Sequence, residues 1–391
     1  MFRNRAARRI RRAAFLLVAV AMVLAAVACK SKSANPGPEY AYVTNGKGNS
    51  VTVIDLNALQ AVRTLPVGAN PTGIEANPVK NEVYAVSTDA GTVSVIDAIK
   101  NAVVATIPVQ RQPYFISVSS DGRWGYVANS GSNTVSVIDL NARRTVANVA
   151  VGAQPGLARV SPNGDTVVVS SRGNSTVSLI DAASRSVRAT IPVCKNPEDI
   201  AILPDSRKAF VACTESDEVA VIDLKQGHLL SILRVGGVPV TLALKPDGGE
   251  LFVSNFDAHT ISVINTSADE VSESFLAGNN PSGATITADS SLLFVSNMGS
   301  NNVAVFDIGT RTLLVSVTVG DGPDALALTP RENMLLVADS RSGDVSVLRL
   351  DKRRDKKNQQ APPQRLFTMI PVGAQPNQIA VKAIAPEKAA H

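Results

Sequence analysis

The chain has 391 residues, of which 45% are hydrophobic and 18% are charged, so it is long and apolar enough to bury a large core. The formal net charge is +5, but six of the 38 basic residues lie within the first twelve positions, where there is no acid. The other 32 Lys and Arg face 33 Asp and Glu, which argues against a broad basic surface and against nucleic acid as a partner.

The N-terminal segment has the parts of an export signal. Arginines are followed by an apolar run at 13–28, which is short for a membrane span, and then by Cys29. The small residues before Cys29 resemble a bacterial lipoprotein signal, which implies removal of 1–28 and attachment of the exported protein to the membrane through a lipid on Cys29. Ordinary cleavage and an uncleaved anchor are the alternatives. The polar residues 29–39, which include Gly and Pro, predict a flexible tether.

A predicted propeller domain at residues 40–386 follows, in which a 42-residue pattern recurs in seven equal steps. The residues that open its copies are Tyr42, Tyr84, Tyr126, Val168, Phe210, Phe252, Phe294 and Leu336. A constant period of this length is typical of a propeller or solenoid. In the copy that begins at Pro113, four apolar runs (115–119, 125–129, 134–139 and 145–151) are separated by turn residues. This arrangement predicts four antiparallel strands, which form one propeller blade.

Three residue types recur at fixed places and have structural explanations. An Asp such as Asp55 closes the third strand, where its carboxylate can accept N–H groups of the next turn. An Asn such as Asn45 closes the second strand, and we expect it to act in the same way and to adopt a left-handed conformation. A Pro such as Pro71 opens the first strand, where no ladder donor is lost.

The segment Tyr42-Val43-Thr44-Asn45, followed by 51–55 and 66–68, resembles the YVTN β-propeller repeat family. The resemblance extends over roughly residues 40–385 and implies an all-β propeller, exported or on the surface of bacteria and archaea, with a central channel lined by the Pro-led strands. Family members have varied roles, and many have seven blades.

The repeat predicts eight four-stranded blades, with seven as the alternative. The Pro-led strand occurs eight times, whereas the chain starts at a second strand (40–45) and ends at a Pro-led one (376–384). We therefore expect the C-terminal inner strand to join the N-terminal strands and close the ring. Residues 351–364 form a charged insertion that predicts a mobile loop, and 387–391 form a tail.

Two cysteines depart from the repeat. Cys194 replaces a recurring Gly, and Cys213 replaces the recurring Asn. In the blade model both positions lie on the same face, and the exported compartment is oxidising, so we expect a disulfide, with two free thiols as the alternative.

Metal and cofactor motifs are not found in the sequence. His228 and His259 are expected on turns at opposite faces, and His391 is the terminal residue. There is no paired CxxC, CxxCH, HExxH, GxSxG or phosphate-binding loop, so neither a metal nor a cofactor is predicted. Eight-bladed quinoprotein dehydrogenases repeat their Trp positions, whereas Trp124 is alone.

The residues that follow each Pro differ most between copies, and they are expected at the channel mouth. Tyr114 and Phe115 predict an apolar platform, and the acidic rim would consist of Glu198, Asp199 and Asp324. Glu75 and Arg159 stand deeper, at a position that is Ala in four copies, which favours a hydrated polar channel. The alternative is a water-filled funnel with variable loops.

We interpret the chain as a non-catalytic binding or scaffold module of the cell envelope. It would be a monomer that binds a protein, peptide or glycan at the channel mouth. One alternative is an enzyme, either a lactonase-like hydrolase or a redox protein, because related propellers include both. The other is a surface-layer or adhesive structural protein.

Overall fold

Each 42-residue copy forms one four-stranded antiparallel sheet in the computed structural model, which describes residues 37–350 and 365–384. The predicted signal sequence with Cys29, most of the tether, the insertion at 351–364 and the tail lie outside the described residues. Blades 1 to 7 follow in chain order, and blade 8 combines the two ends of the chain.

The strands of each blade are given from the inner to the outer one. Blade 1 contains β4 (Pro71–Ala76), β5 (Glu82–Ser87), β6 (Thr92–Asp97) and β7 (Ala102–Pro108). Blade 2 contains β8 (Pro113–Val118), β9 (Trp124–Asn129), β10 (Thr134–Asp139) and β11 (Arg144–Ala150). Blade 3 contains β12 (Pro155–Val160), β13 (Thr166–Ser171), β14 (Thr176–Asp181) and β15 (Ser186–Pro192), with a 3-10 turn at Arg172–Asn174. Blade 4 contains β16 (Pro197–Ile202), β17 (Lys208–Cys213), β18 (Glu218–Asp223) and β19 (His228–Arg234).

The remaining four blades repeat this order. Blade 5 contains β20 (Pro239–Leu244), β21 (Glu250–Asn255), β22 (Thr260–Asn265) and β23 (Glu270–Leu276). Blade 6 contains β24 (Pro281–Ile286), β25 (Leu292–Asn297), β26 (Asn302–Asp307) and β27 (Thr312–Thr318). Blade 7 contains β28 (Pro323–Leu328), β29 (Met334–Asp339), β30 (Asp344–Arg349) and β31 (Arg365–Pro371). Blade 8 contains β32 (Pro376–Ala383), β1 (Glu39–Asn45), β2 (Ser50–Asp55) and β3 (Gln60–Pro66).

The ring is closed by β32, as the phase of the repeat predicts. This strand pairs with β1 in antiparallel register, with Tyr42 opposite Ala380 and Glu39 opposite Ala383. Each inner strand contacts the inner strands of both neighbouring blades, and β32 contacts β28 and β4. The prediction of eight blades with a shared last blade is therefore confirmed. Within the parts of the chain that the structure describes, no helix has the length and apolar character to cross a membrane.

The hydrophobic core lies between successive blades. The two middle strands of a blade are buried on both faces, and each apolar cluster joins side chains of two neighbouring sheets, such as Tyr84 and Val86 of blade 1 with Ile116 and Val127 of blade 2. Strands that are buried on both faces have continuous apolar runs, which explains the repeated Val and Ile. Inner strands begin at the Pro itself, two residues before the predicted start at Phe115, because Pro113 already pairs with Asn129.

The recurring Asp residues act as predicted, but the recurring Asn residues do not. Asp55 Oδ1 accepts the backbone N–H groups of Asn57 and Ala58, at 2.8 and 3.0 Å. Asn45 instead donates Nδ2 across the hairpin to Ser50 Oγ and Thr52 Oγ1, at 3.1 and 2.9 Å. Its backbone is not left-handed, whereas the φ angle of Asn49, in the following turn, is 48°. The Asn is thus selected for its amide group and not for a turn conformation.

Candidate functional site

The predicted mouth residues surround one cavity of about 580 Å³ at the face where the inner strands begin. The first residue after all eight Pro residues and the second after seven of them line this cavity, because their strands start at its rim. The structure brings six of the predicted residues together there, namely Tyr114, Phe115, Arg159, Glu198, Asp199 and Asp324. Glu75 does not line the cavity and lies deeper along the channel.

The inner strands leave one backbone edge without a partner strand, and side chains of the preceding blade satisfy several of its N–H groups. Glu75 Oε1 accepts the Val118 N–H at 3.3 Å, and Asp199 Oδ2 accepts the Leu242 N–H at 2.9 Å. Ser117 Oγ accepts the N–H of Val160 at 3.2 Å. Because a buried N–H without an acceptor is costly, these polar residues also stabilise the ring.

Phe115, Arg159 and Asp199 form one stacked group. The Arg159 guanidinium lies over the Phe115 ring, 4.9 Å from its centroid, and its Nη2 is 3.7 Å from Asp199 Oδ1. That oxygen also accepts the Ile200 N–H at 2.9 Å. The Arg159 Nε is buried and has no hydrogen-bond partner among the described residues. This group therefore keeps one donor unused.

A second ion pair lies at the rim. Arg172 Nη1 is 3.2 Å from Glu198 Oε1, and both side chains are partly exposed. An exposed pair of this kind contributes about 0–1 kcal/mol to stability. Arg172 was not among the predicted site residues, although it follows the second strand of blade 3 and therefore lies on the same face as the Pro residues.

The charge at the mouth is not fully compensated. Glu198 and Asp199 face arginines, whereas the Asp324 carboxylate makes no hydrogen bond or ion pair within the residues that the structure describes. Burial raises the pKa of Asp324 above its ordinary value. Tyr114 lines the same cavity with 45% of its surface exposed.

Glu75 is the unusual acid of the channel. Its Oε2 is buried and has no hydrogen-bond partner in the described part of the chain. Burial raises the pKa of Glu75 to about 7, although the charge of Arg159 and the hydrogen bond from Val118 act in the opposite direction. A carboxyl group with this pKa can hold or release a proton near neutral pH.

Cys194 and Cys213 form the disulfide that we expected, with their Cα atoms 5.6 Å apart. The bond joins the segment after β15 of blade 3 to the end of β17 in blade 4. His228 opens β19 and is not in a turn as predicted, whereas His259 lies in a turn and accepts the Asn280 N–H on Nδ1 at 3.1 Å. Among the described residues, no group of three His, Cys, Asp or Glu side chains is arranged to hold a metal ion.

Comparisons with known proteins agree with the propeller fold. The family model described as "Choice-of-anchor I domain" matches residues 31–248, and that described as "Lactonase, 7-bladed beta-propeller" matches residues 268–361. No curated protein matches the chain. A structure of Kuenenia stuttgartiensis hydrazine synthase has a TM-score of 0.59 and 21% identity, covering 71% of this chain and 95% of its own. Dihydro-heme d1 dehydrogenase NirN in complex with DHE has a TM-score of 0.71 and 17% identity, covering 87% and 74%. Identities this low show a shared fold alone.

Proposed function

Because this chain belongs to the Choice-of-anchor I domain family, we propose that it is an exported binding module of the bacterial cell envelope, with its partner at the channel mouth. The family match indicates a cell-surface or exported protein. The YVTN-type repeat and a lipid on Cys29 are the finer parts of this proposal, and both rest on the sequence patterns. Labelling with a radioactive fatty acid tests the anchor, since wild type would incorporate label and Cys29→Ser would not.

The proposal rests on the excess of negative charge at the channel mouth. Asp324 is an unpaired carboxylate beside the exposed ring of Tyr114, whereas the arginines of the cavity are engaged by other acids. A desolvated carboxylate is stabilised by a positive group, and an aromatic surface by an apolar one. The partner that fits is a peptide segment in which Lys or Arg stands next to apolar side chains.

A peptide-display selection on immobilised mature protein tests this function. We expect the bound sequences to be enriched in Lys or Arg with apolar neighbours. Tyr114→Ala and Asp324→Asn should weaken the selected peptides about tenfold, because each removes one of the two complementary surfaces. The control is Asp89→Asn, which removes an exposed carboxylate from a turn between second and third strands on the same face. Peptides without basic enrichment, or equal binding to all variants, would contradict the proposal.

A hydrolase is the second candidate, and two observations favour it. The lactonase model matches residues 268–361, and the channel contains Glu75 with a free oxygen and a pKa of about 7. A carboxylate of this kind is suited to remove a proton from water during ester opening. If wild type releases acid from simple lactones and Glu75→Gln does not, the result would support a hydrolase and not a binding module.

A further inference from the structure

A second cleft, of about 540 Å³, lies between blades 2 and 3 on the face opposite the channel mouth. It is bounded by the turn that joins β8 to β9 and by the turns of blade 3 that follow β12 and β14. The proposed function does not involve this cleft, so the two sites can be tested separately.

Three of the corresponding grooves between other blades contain an ion pair between a residue at the start of the second strand and one 61 positions later. These pairs are Glu82 with Arg143, Lys208 with Asp269, and Glu250 with Arg311. In the cleft the equivalent residues are Trp124 and Arg185, and the guanidinium lies 4.8 Å from the centroid of the indole ring. Arg185 makes no side-chain hydrogen bond or ion pair in the described ranges, so its donors are unused.

The floor of the cleft contains a tyrosine hydroxyl that makes no hydrogen bond to the described residues. In blade 1, the hydroxyl of the equivalent Tyr84 donates to Glu82 Oε2 at 2.7 Å and accepts from Asn77 Nδ2 at 3.0 Å. Blade 2 has Trp124 in place of that Glu and the shorter Ser119 in place of that Asn. Tyr126 is 2% exposed, lines the cleft, and has no hydrogen bond to any residue that the structure describes.

Three carboxylates line the same cleft, and each keeps one oxygen available. One oxygen of Asp121 accepts Ser119 Oγ–H, one of Asp181 accepts the Ser184 N–H, and one of Asp165 accepts from an Asn side chain. Their other oxygens make no hydrogen bond or ion pair within the described part of the chain and remain acceptors. The cleft thus combines free acceptors, the free donors of the arginine, a phenol hydroxyl and an indole.

This combination of free donors and acceptors fits a neutral ligand rich in hydroxyl groups. An anion would be repelled by the three carboxylates. A cation would be repelled by Arg185 and by the neighbouring Arg123, which also lies over the Trp124 ring. A sugar hydroxyl both donates and accepts, so it can pair with both kinds of free group, and the C–H edge of a sugar ring packs against an aromatic side chain. The volume lies within the range of small-molecule sites.

We propose that the cleft between blades 2 and 3 is a saccharide-binding site, with Tyr126 at its floor and Trp124 in its wall. Trp124 is the single Trp of the chain, so its fluorescence reports on the cleft directly. The probes are glucose, N-acetylglucosamine, and their β-1,4- and α-1,4-linked oligomers of up to six units. We expect a saturable change in emission with at least one oligomer.

Two variants separate binding from folding. Tyr126→Phe removes only the hydroxyl and places in blade 2 the residue that Phe210, Phe252 and Phe294 provide elsewhere. It should stay folded and weaken the saccharide about fivefold, as expected for the loss of one hydrogen bond. Tyr84→Phe makes the same change in the neighbouring blade and should leave the affinity unchanged.

Trp124→Glu would restore the ion pair of the other grooves with Arg185 and close the cleft. Because this variant has no Trp, its binding is measured by calorimetry, and we expect none. The proposal is overturned if no saccharide of the panel gives a saturable signal, or if Tyr126→Phe and Trp124→Glu both bind like the wild type. Saturable binding of choline or sulfate instead of the sugars would also overturn it.

Discussion

Asp339 and Asp344 lie opposite each other in the register of β29 and β30, and one carboxyl oxygen of each is buried without a hydrogen-bond partner among the described residues. Asp339 is fully buried and occupies the place of the recurring Asn, such as Asn45, whose amide donates to the side chain five residues later. A carboxyl group can take the donor role of that amide only when it carries a proton. Burial raises the pKa of Asp339 well above its ordinary value, and the charge of Asp344 raises it further.

Replacing Asp339 by Asn should make blade 7 less sensitive to pH. In wild type the folded state keeps a proton that the unfolded state loses near pH 4, so the free energy of unfolding falls as the pH rises above about 4. Asp339→Asn removes this dependence and should be more stable by about 1–3 kcal/mol at pH 8. Denaturant unfolding at pH 5 and pH 8 measures the difference. If the variant had the same pH dependence as wild type, a proton held by Asp339 in the folded state would be excluded.

Glu75 should contribute a second dependence of the same sign. Its pKa is raised to about 7, mainly by burial, so stability from this group is complete below about pH 4.3 and declines as the pH rises to about 7. Glu75→Gln keeps an acceptor for the Val118 N–H and should lose this decline, whereas Glu75→Ala removes the acceptor and should cost about 1 kcal/mol at any pH. A carboxyl carbon that titrates near pH 4 in NMR spectra of wild type would contradict this.

The disulfide replaces a Gly–Asn contact that is present elsewhere in the ring. A Cβ atom at Gly236 would lie 2.7 Å from the Asn255 side chain, so the Asn requires Gly at its partner position. Cys213→Asn alone should therefore place an amide against the Cys194 side chain. It should also lose the disulfide, which stabilises the folded protein by about 3 kcal/mol. The double variant Cys194→Gly with Cys213→Asn should recover about 1 kcal/mol of this loss. Thermal unfolding compares the three proteins, and a double variant no more stable than the single one would contradict the prediction.

The period in the sequence was sufficient to predict the number of blades, their closure and the disulfide, because each depends on one repeated or altered position. The Asn residues were interpreted wrongly, since their pattern does not reveal whether the backbone or the amide is constrained. Asp339 could have been found as a departure from that Asn. The cleft could not, because Ser119 and Trp124 flank the turn between β8 and β9, Arg185 lies in the turn after β14 of the next blade, and they act only in combination.

Ring closure predicts a specific effect of truncation. A chain that ends at residue 375 lacks β32, so the buried side chains of Ile379 and Ala380 and the pairing with β1 are lost. Each buried apolar side chain contributes about 1.5–3 kcal/mol at most, and a change of 1 kcal/mol shifts the midpoint by about 2–4 °C in a domain of moderate size. We therefore expect the thermal midpoint to fall by at least about 5 °C.

A chain ending at residue 384 retains the whole strand and is the matched control. The truncation also exposes the edge of β1, so association should increase in sedimentation experiments. An unchanged midpoint would mean that the shared blade does not hold the ring closed.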